Sequence, residues 1–185
     1  MQGYTIARCM GDEAGANSAP HHMPSVEWKQ AAGFKAAGFA GGYMYPEIMV
    51  IPMREELVRA GIQETRTAED VDAALAQPGT TLLVVNSICG CAAGKMRPGV
   101  RLALSGTQNA PDRKITVFAG QDREATERAR SYFEGNPPTS PAIAILRDGK
   151  LVYLMQRFVI EQATAQQIAG ELVRAFDEFC AKTSA

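Results

Sequence analysis

No stretch of the sequence is apolar for more than a few residues, as in Leu82-Leu83-Val84-Val85, whereas a helix crossing a bilayer needs roughly 20. A membrane-spanning helix is therefore not expected. An excess of one charge is also missing: 19 Lys and Arg stand against 20 Asp and Glu, a formal net charge of −1, and the basic residues form no long cluster. Such a surface offers nothing to a polyanion, so nucleic acid is not an expected partner. The N-terminal residues from Met1 to Met10 lack a basic start, an apolar core and a small-residue cleavage site, so a cytoplasmic protein is expected. Four cysteines, Cys9, Cys89, Cys91 and Cys180, are too few and too scattered for the disulfide framework of a small secreted domain. There is no Gly-rich phosphate loop, no Ser/His/Asp set and no suitably placed carboxylate pair, which argues against nucleotide-dependent chemistry. What remains is the composition of one globular domain, 185 residues with 46% hydrophobic and 21% charged, long enough to bury a single core.

Residues 1–43 are rich in Gly, Ala, Ser, Pro and His without a sustained apolar period, and poor order is expected there apart from a weak helix over 26–37. From Tyr45 the pattern is regular. Ile48, Val50, Ile51, Leu57 and Val58 predict a helix interrupted or restarted at Pro52 and ended at Gly61. Thr67 and Asp70 form a capping box for a second helix, stopped by Pro78-Gly79. The segment 80–86, Thr-Thr-Leu-Leu-Val-Val-Asn, predicts a strand covered on both faces, and 92–104 a helix kinked or broken at Pro98. A strand follows over 115–119, then a helix capped by Asp122 and running to Phe133. Strands over 142–146 and 151–155 are joined through Asp148-Gly149, a pair that favours a two-residue hairpin turn. A last helix over 164–180 places Ile168, Leu172, Val173, Phe176 and Phe179 on one stripe. A parallel β–α–β start, an antiparallel hairpin and a closing helix make an α/β protein with a mixed central sheet flanked by helices. From the first strand onward this is the order of a thioredoxin-like fold, preceded by two extra N-terminal helices.

Cys89 and Cys91 flank Gly90 where the buried strand gives way to a helix. The unpaired N–H groups and the positive dipole end of a helix both favour thiolate over thiol. Cys89 is accordingly the expected nucleophile, and Cys91, in the first turn, the residue that resolves a mixed disulfide on it. Gly90 is expected to ease closure of so short a ring. Ser140-Pro141, directly before a strand, occupies the place of the cis-proline that thioredoxin-like folds carry beside their redox cysteines. Gly90, Ser140 and Pro141 are the candidate substrate-binding residues. Lys95 and Arg97, one to two turns into the helix, read by default as solvated surface charges, with added positive potential near the thiolates as the alternative; Cys180 reads as a packing residue on an apolar stripe and Cys9 as an exposed thiol. His21 and His22 together with Cys89 and Cys91 offer zinc binding as the competing class, against which the Cys-x-Cys spacing speaks. A non-catalytic interaction module is the third class, and it would be expected to have lost one of the two cysteines.

The run from Val84 to Gly94, Val-Val-Asn-Ser-Ile-Cys-Gly-Cys-Ala-Ala-Gly, followed by Arg97-Pro98, resembles the signature of the bacilliredoxin family, also described as Cys-Gly-Cys disulfide isomerase-like proteins. Met53-Arg54-Glu55-Glu56-Leu57, Thr116-Val117-Phe118-Ala119-Gly120-Gln121-Asp122, the Ser140-Pro141 segment and the stretch from Ala175 to Cys180 are similar to the family's pattern as well. The resemblance spans about 44–180, so 44–185 is taken as the family domain and 1–43 as a disordered extension or the product of an upstream start. It implies an enzyme that removes bacillithiol from mixed disulfides on cytoplasmic proteins, with weak isomerase or reductase activity. By the same resemblance bacillithiol is a thiol co-substrate, no cofactor is held permanently, and the partners are bacillithiolated proteins and a low-molecular-weight thiol. The family pattern has His where this chain has Phe158, so no pH-linked role is available at that position. A disulfide closed across a single intervening residue is expected to be strained and readily reduced. Equilibration with a dithiol of known potential should place the pair well above thioredoxin's value of about −270 mV, and a potential as low as that would overturn the expectation.

Overall fold

The computed structural model describes residues 45–181, so the helix expected over 26–37, Cys9, His21, His22 and the expected boundary near 43 lie outside the described residues. In chain order the elements are α1 (Glu47–Val58), β1 (Gln63–Glu64), α2 (Ala68–Leu75), β2 (Thr80–Asn86), a π-helical turn (Ala92–Met96), α3 (Arg97–Gly106), β3 (Arg113–Phe118), α4 (Arg123–Ser131), β4 (Ala142–Arg147), β5 (Lys150–Met155), α5 (Arg157–Gln162) and α6 (Ala165–Phe179). The strands form one sheet in the order β1-β3-β2-β4-β5. β1 and β2 run parallel to β3, while β4 is antiparallel to both β2 and β5. A parallel β–α–β unit followed by an antiparallel hairpin and a terminal helix is the thioredoxin fold expected from the sequence.

β2 lies at the centre and buries all seven of its residues. Alternation along the strand sends Leu82 and Val84 to one face, where they meet Val100 and Ala103 of α3 and Ile168, Leu172 and Phe176 of α6. Leu83 and Val85 point to the other face, against Val71 and Leu75 of α2 and Ala125 and Ala129 of α4. Thr67 caps α2 as expected: its hydroxyl accepts the Asp70 N–H at 3.1 Å, and the Asp70 carboxylate accepts the Thr67 N–H at 3.2 Å. The hairpin turn has Asp148 and Gly149 at φ 51° and 74°, the left-handed pair that two-residue hairpins require.

Several expectations are corrected. α1 is continuous through Pro52. Only the bond to the Ile48 carbonyl is lost there, and both residues are exposed, so water can replace it. The helix after β2 does not kink at Pro98. The backbone widens one turn earlier, where the Arg97 N–H donates to the Ala92 carbonyl five residues back, and α3 restarts with Pro98 in its first turn, a position where a missing N–H costs little. β1 and α5 add two short elements with no readable period. Asp122 stands at the N-cap of α4, but its side chain caps nothing.

Both Asp122 oxygens instead accept from the buried Arg54 guanidinium, at 2.6 and 2.9 Å. A bidentate charged pair outcompetes a single helix N–H. Glu64 takes a further Arg54 bond at 3.0 Å, and the Phe118 ring lies 5.0 Å from the guanidinium carbon. Burial works against the Arg54 cation, but the bonds and charge of Asp122 and then Glu64 outweigh it and hold its pKa above the usual value. This cluster pins α1 to the end of β3 and to the start of α4.

The α3–α6 contact depends on Gly99. A Cβ there would lie 2.7 Å from Ile168 Cγ2 and 3.1 Å from the Ala165 carbonyl oxygen, whereas a Cβ at Gly170 of α6 would meet nothing within 4 Å. Gly99→Ala is expected to lower the unfolding free energy by about 1–2 kcal/mol, and Gly170→Ala to raise it by about 0.5–1 kcal/mol, in urea titrations. Equal effects of the two substitutions would overturn this account of the packing.

Candidate active site

Cys89 and Cys91 lie where β2 leads into the helix through Ser87 and Ile88. The Cys89 carbonyl accepts the N–H groups of Ala92 and Ala93, both at 3.1 Å, which opens the first helical turn. Its sulfur also accepts the Ala92 N–H, at 3.4 Å. Cys89 is an N-cap residue whose sulfur occupies the place usually held by a Ser or Asp oxygen, three residues before the donor. The two sulfurs are joined as a disulfide, with the Cα atoms 5.5 Å apart. Both cysteines are half-buried against the core shared by α3 and α6.

Gly90, between them, does not have the role expected from the sequence. Its φ is not positive, and a Cβ would meet nothing within 4 Å, so neither backbone conformation nor space demands glycine in the disulfide state. Gly90 itself is exposed, between two half-buried cysteines.

The Ser140–Pro141 peptide is cis. Val85 pairs with Ala142 across β2 and β4, and one further step of that antiparallel register sets Pro141 beside Asn86, next to the loop that carries the cysteines. The Ser140 carbonyl accepts from Arg157 Nη1 at 3.3 Å, and the Arg157 N–H donates to Thr139 Oγ1 at 3.4 Å. α5 therefore braces the segment, a contribution not legible in the sequence. Phe158, on the same helix, is 57% exposed.

Arg97 is the largest correction. Far from being a solvated charge, it is only 2% exposed. Its Nε donates to Glu56 Oε2 of α1 at 2.9 Å, and its Nη1 donates to Asn86 Oδ1 at 3.2 Å and to the Ser87 carbonyl at 3.1 Å. Three fixed acceptors suit the rigid guanidinium fork and offset its desolvation. Asn86 is held in turn, its Nδ2 donating to the Met53 carbonyl at 3.2 Å. A signal was available: Ala92, Met96, Arg97, Val100 and Ala103 fall on one helical stripe, and an arginine among apolar residues calls for buried acceptors. Ser87, whose hydroxyl lies 3.2 Å from the Cys89 sulfur, carried no such signal. Lys95 points elsewhere, its ammonium donating to the Glu161 carbonyl of α5.

His21 and His22 lie outside the described residues, and among the described residues no three His, Cys, Asp or Glu side chains converge as a metal site. Cys180 is a free thiol, 5% exposed in the core as its stripe position suggested, and burial pushes its pKa up. A raised pKa leaves less thiolate at neutral pH, so after mild reduction native protein should take iodoacetamide on Cys89 and Cys91 while Cys180 stays unmodified. Peptide mass mapping checks this, and equal labelling of Cys180 would contradict it.

The profile of the disulphide isomerase family matches residues 45–180. A bacilliredoxin of Koribacter versatilis is 60% identical over 142 residues, covering 76% of this chain and 97% of its own. One from Geobacillus kaustophilus is 51% identical over 127 residues, covering 69% and 87%, and one from Staphylococcus aureus is 45% identical over 137 residues, covering 74% and 94%. Oxidised thioredoxin from Plasmodium falciparum superposes with a TM-score of 0.47 at 14% identity, covering 65% of this chain and 99% of that one. The strand order and the family match agree, and the chain belongs to the bacilliredoxin family and is a thiol–disulfide oxidoreductase of thioredoxin fold.

Proposed function

We propose that the enzyme removes bacillithiol from mixed disulfides on cytoplasmic proteins, with Cys89 attacking and Cys91 resolving. The observation that carries the reading is the N-cap position of Cys89, whose sulfur accepts a helix N–H while Cys91, two residues further on, is close enough to bond to it. Charge on Cys89 is favoured by that N–H and by the helix dipole, whereas Cys91 lies inside the turn. The likeness to bacilliredoxins supports the thiol class.

In the first step the Cys89 thiolate forms a bond to the bacillithiol sulfur. The sulfur–sulfur bond to the substrate protein breaks, and the electron pair leaves on that protein's thiolate, which takes a proton from water. The Cys91 thiolate then attacks the Cys89 sulfur and expels bacillithiol as a thiolate. The substrate disulfide has gained two electrons and the Cys89–Cys91 pair has lost two. A low-molecular-weight thiol or dithiol in the reduced form returns them, or a second bacillithiol clears Cys89 before Cys91 acts. The enzyme needs no permanently bound cofactor for this chemistry, and bacillithiol enters as co-substrate. Gly90 is exposed between the two cysteines, and the cis Ser140–Pro141 segment offers backbone groups beside them to an incoming chain. The family description of disulphide isomerase is consistent with a weaker activity on protein disulfides.

Cys91→Ala should trap the first intermediate. Mixed with a bacillithiol-modified protein, it is expected to gain the mass of one bacillithiol, mapped to Cys89, while Cys89→Ala should release substrate about a hundredfold more slowly or not at all. Reaction of Cys91→Ala with a glutathione-modified protein and not with the bacillithiol-modified one would overturn the thiol class. Absence of any adduct would overturn the order of the cysteines.

A further inference from the structure

We propose that Ser87 is a further catalytic residue of the exchange reaction, its hydroxyl donating a hydrogen bond to the Cys89 thiolate, and that Arg97 is the residue that positions it. The inference rests on the assignment of Cys89 as the attacking sulfur.

Ser87 is buried, with its Oγ 3.2 Å from the Cys89 sulfur. A disulfide sulfur carries no proton, so the hydroxyl is the donor. When the disulfide opens, the same O–H faces a sulfur that can hold either a proton or a charge. A neutral thiol is a weak acceptor, whereas a thiolate takes a short, charge-assisted bond. The hydroxyl therefore favours the charged form and adds to the effect of the Ala92 N–H, which approaches the same sulfur at 3.4 Å. Two donors converge on one sulfur, one from the strand side and one from the helix.

The hydroxyl can act in this way because Ser87 has little freedom. Its N–H donates to Asn86 Oδ1 at 2.9 Å, and its carbonyl accepts from Arg97 Nη1 at 3.1 Å. The same Nη1 donates to Asn86 Oδ1 at 3.2 Å, so one guanidinium nitrogen fixes both acceptors that define the backbone at 86–87. Glu56 holds the guanidinium through Nε at 2.9 Å. The charged groups that reach this cluster are Arg97 from α3 and Glu56 from α1. The Glu56 side chain is 33% exposed and that of Arg97 2%, so the cation is the deeper member of the pair. Lys95 and Arg157, on the neighbouring turn and on α5, are engaged with the Glu161 and Ser140 carbonyls. Arg97 touches no reacting atom and acts through the aim of the Ser87 hydroxyl.

The test follows alkylation of Cys89 by iodoacetamide against pH in the Cys91→Ala enzyme, read by peptide mapping so that only Cys89 is scored. In the parent, Cys89 is expected to titrate below the free-thiol value of about 8.5. Ser87→Ala should raise that pKa by about one unit, the loss of one charge-assisted hydrogen bond. Thiolate reactivity falls as pKa falls, so the variant's rate curve should cross the parent's: about threefold slower at acidic pH and about threefold faster once both are ionised. A merely structural defect would lower the rate at every pH and produce no crossing. Ser87→Thr, which restores a hydroxyl, should move the pKa back towards the parent. Arg97→Lys, which keeps the charge but loses the fork, should shift the profile in the same direction as Ser87→Ala and add little to it in the double variant. A parent pKa below 8.5 that Ser87→Ala leaves unmoved overturns this inference alone. A parent pKa at the free-thiol value overturns both it and the assignment of Cys89 as an activated nucleophile.

Discussion

β2 pairs with β3 along one edge and β4 along the other, and it is packed by α3 and α6 on one face and by α2 and α4 on the other. A strand held on four sides cannot slide by a residue without moving its whole apolar set to the wrong faces. Its end is fixed for the same reason, and the reactive sulfurs lie only three to five residues beyond that end. The site needs no rigid loop of its own, because the central strand places its start and the helix that follows places its finish. The cis Ser140–Pro141 peptide is positioned by the same strand through the register with β4.

The apolar interior does not by itself orient the site. Two arginines, buried at opposite ends of the same problem, complete it. Arg54 ties α1 to Asp122 and Glu64, and Arg97 ties α3 to Glu56 and to the backbone at 86–87. Arg54 and Glu56 are both α1 residues, so the helix that precedes the redox fold in sequence acts as a strut between the sheet and the active-site helix. A buried ion pair contributes less to stability than its Coulomb attraction suggests, because each partner is stripped of water. Its contribution here is geometric: a planar fork with several acceptors admits few arrangements, and an apolar contact of the same size would admit more.

Much of this was legible in the sequence because it follows from short-range rules. The continuous apolar run at 80–86, the Thr67/Asp70 box, the Asp148-Gly149 turn and the Cys-Gly-Cys junction each state their own structure locally. The misreadings share a different cause. Asp122 carries the signature of a helix cap, but a cation from α1, 68 residues earlier, takes its oxygens. Arg97 carries the signature of a surface charge, and its acceptors come from α1 and from the end of β2. Pro52 and Pro98 look like breaks, yet solvent or a widened turn accommodates them. β1 is a two-residue edge strand paired with β3 and tied to α1 through Glu64, and α5 buries only Ile160. Polar residues are ambiguous from sequence because their partners are chosen in three dimensions.

The π-helical turn between the cysteines and Pro98 has a consequence for how this segment can change. One residue of an α-helix corresponds to about 100° of rotation around its axis. The extra residue in the wide turn therefore sets the angular phase between the two halves of the helix, with the sulfurs on one half and Arg97 and the α6-facing stripe on the other. Wound as regular α-helix without the wide turn, the same residues would turn one half against the other by about that angle. Either the cysteines would face away from the cis-proline or the arginine would leave its acceptors. The bonding of one helical turn, closed over five residues instead of four, thus keeps reactivity and packing in phase.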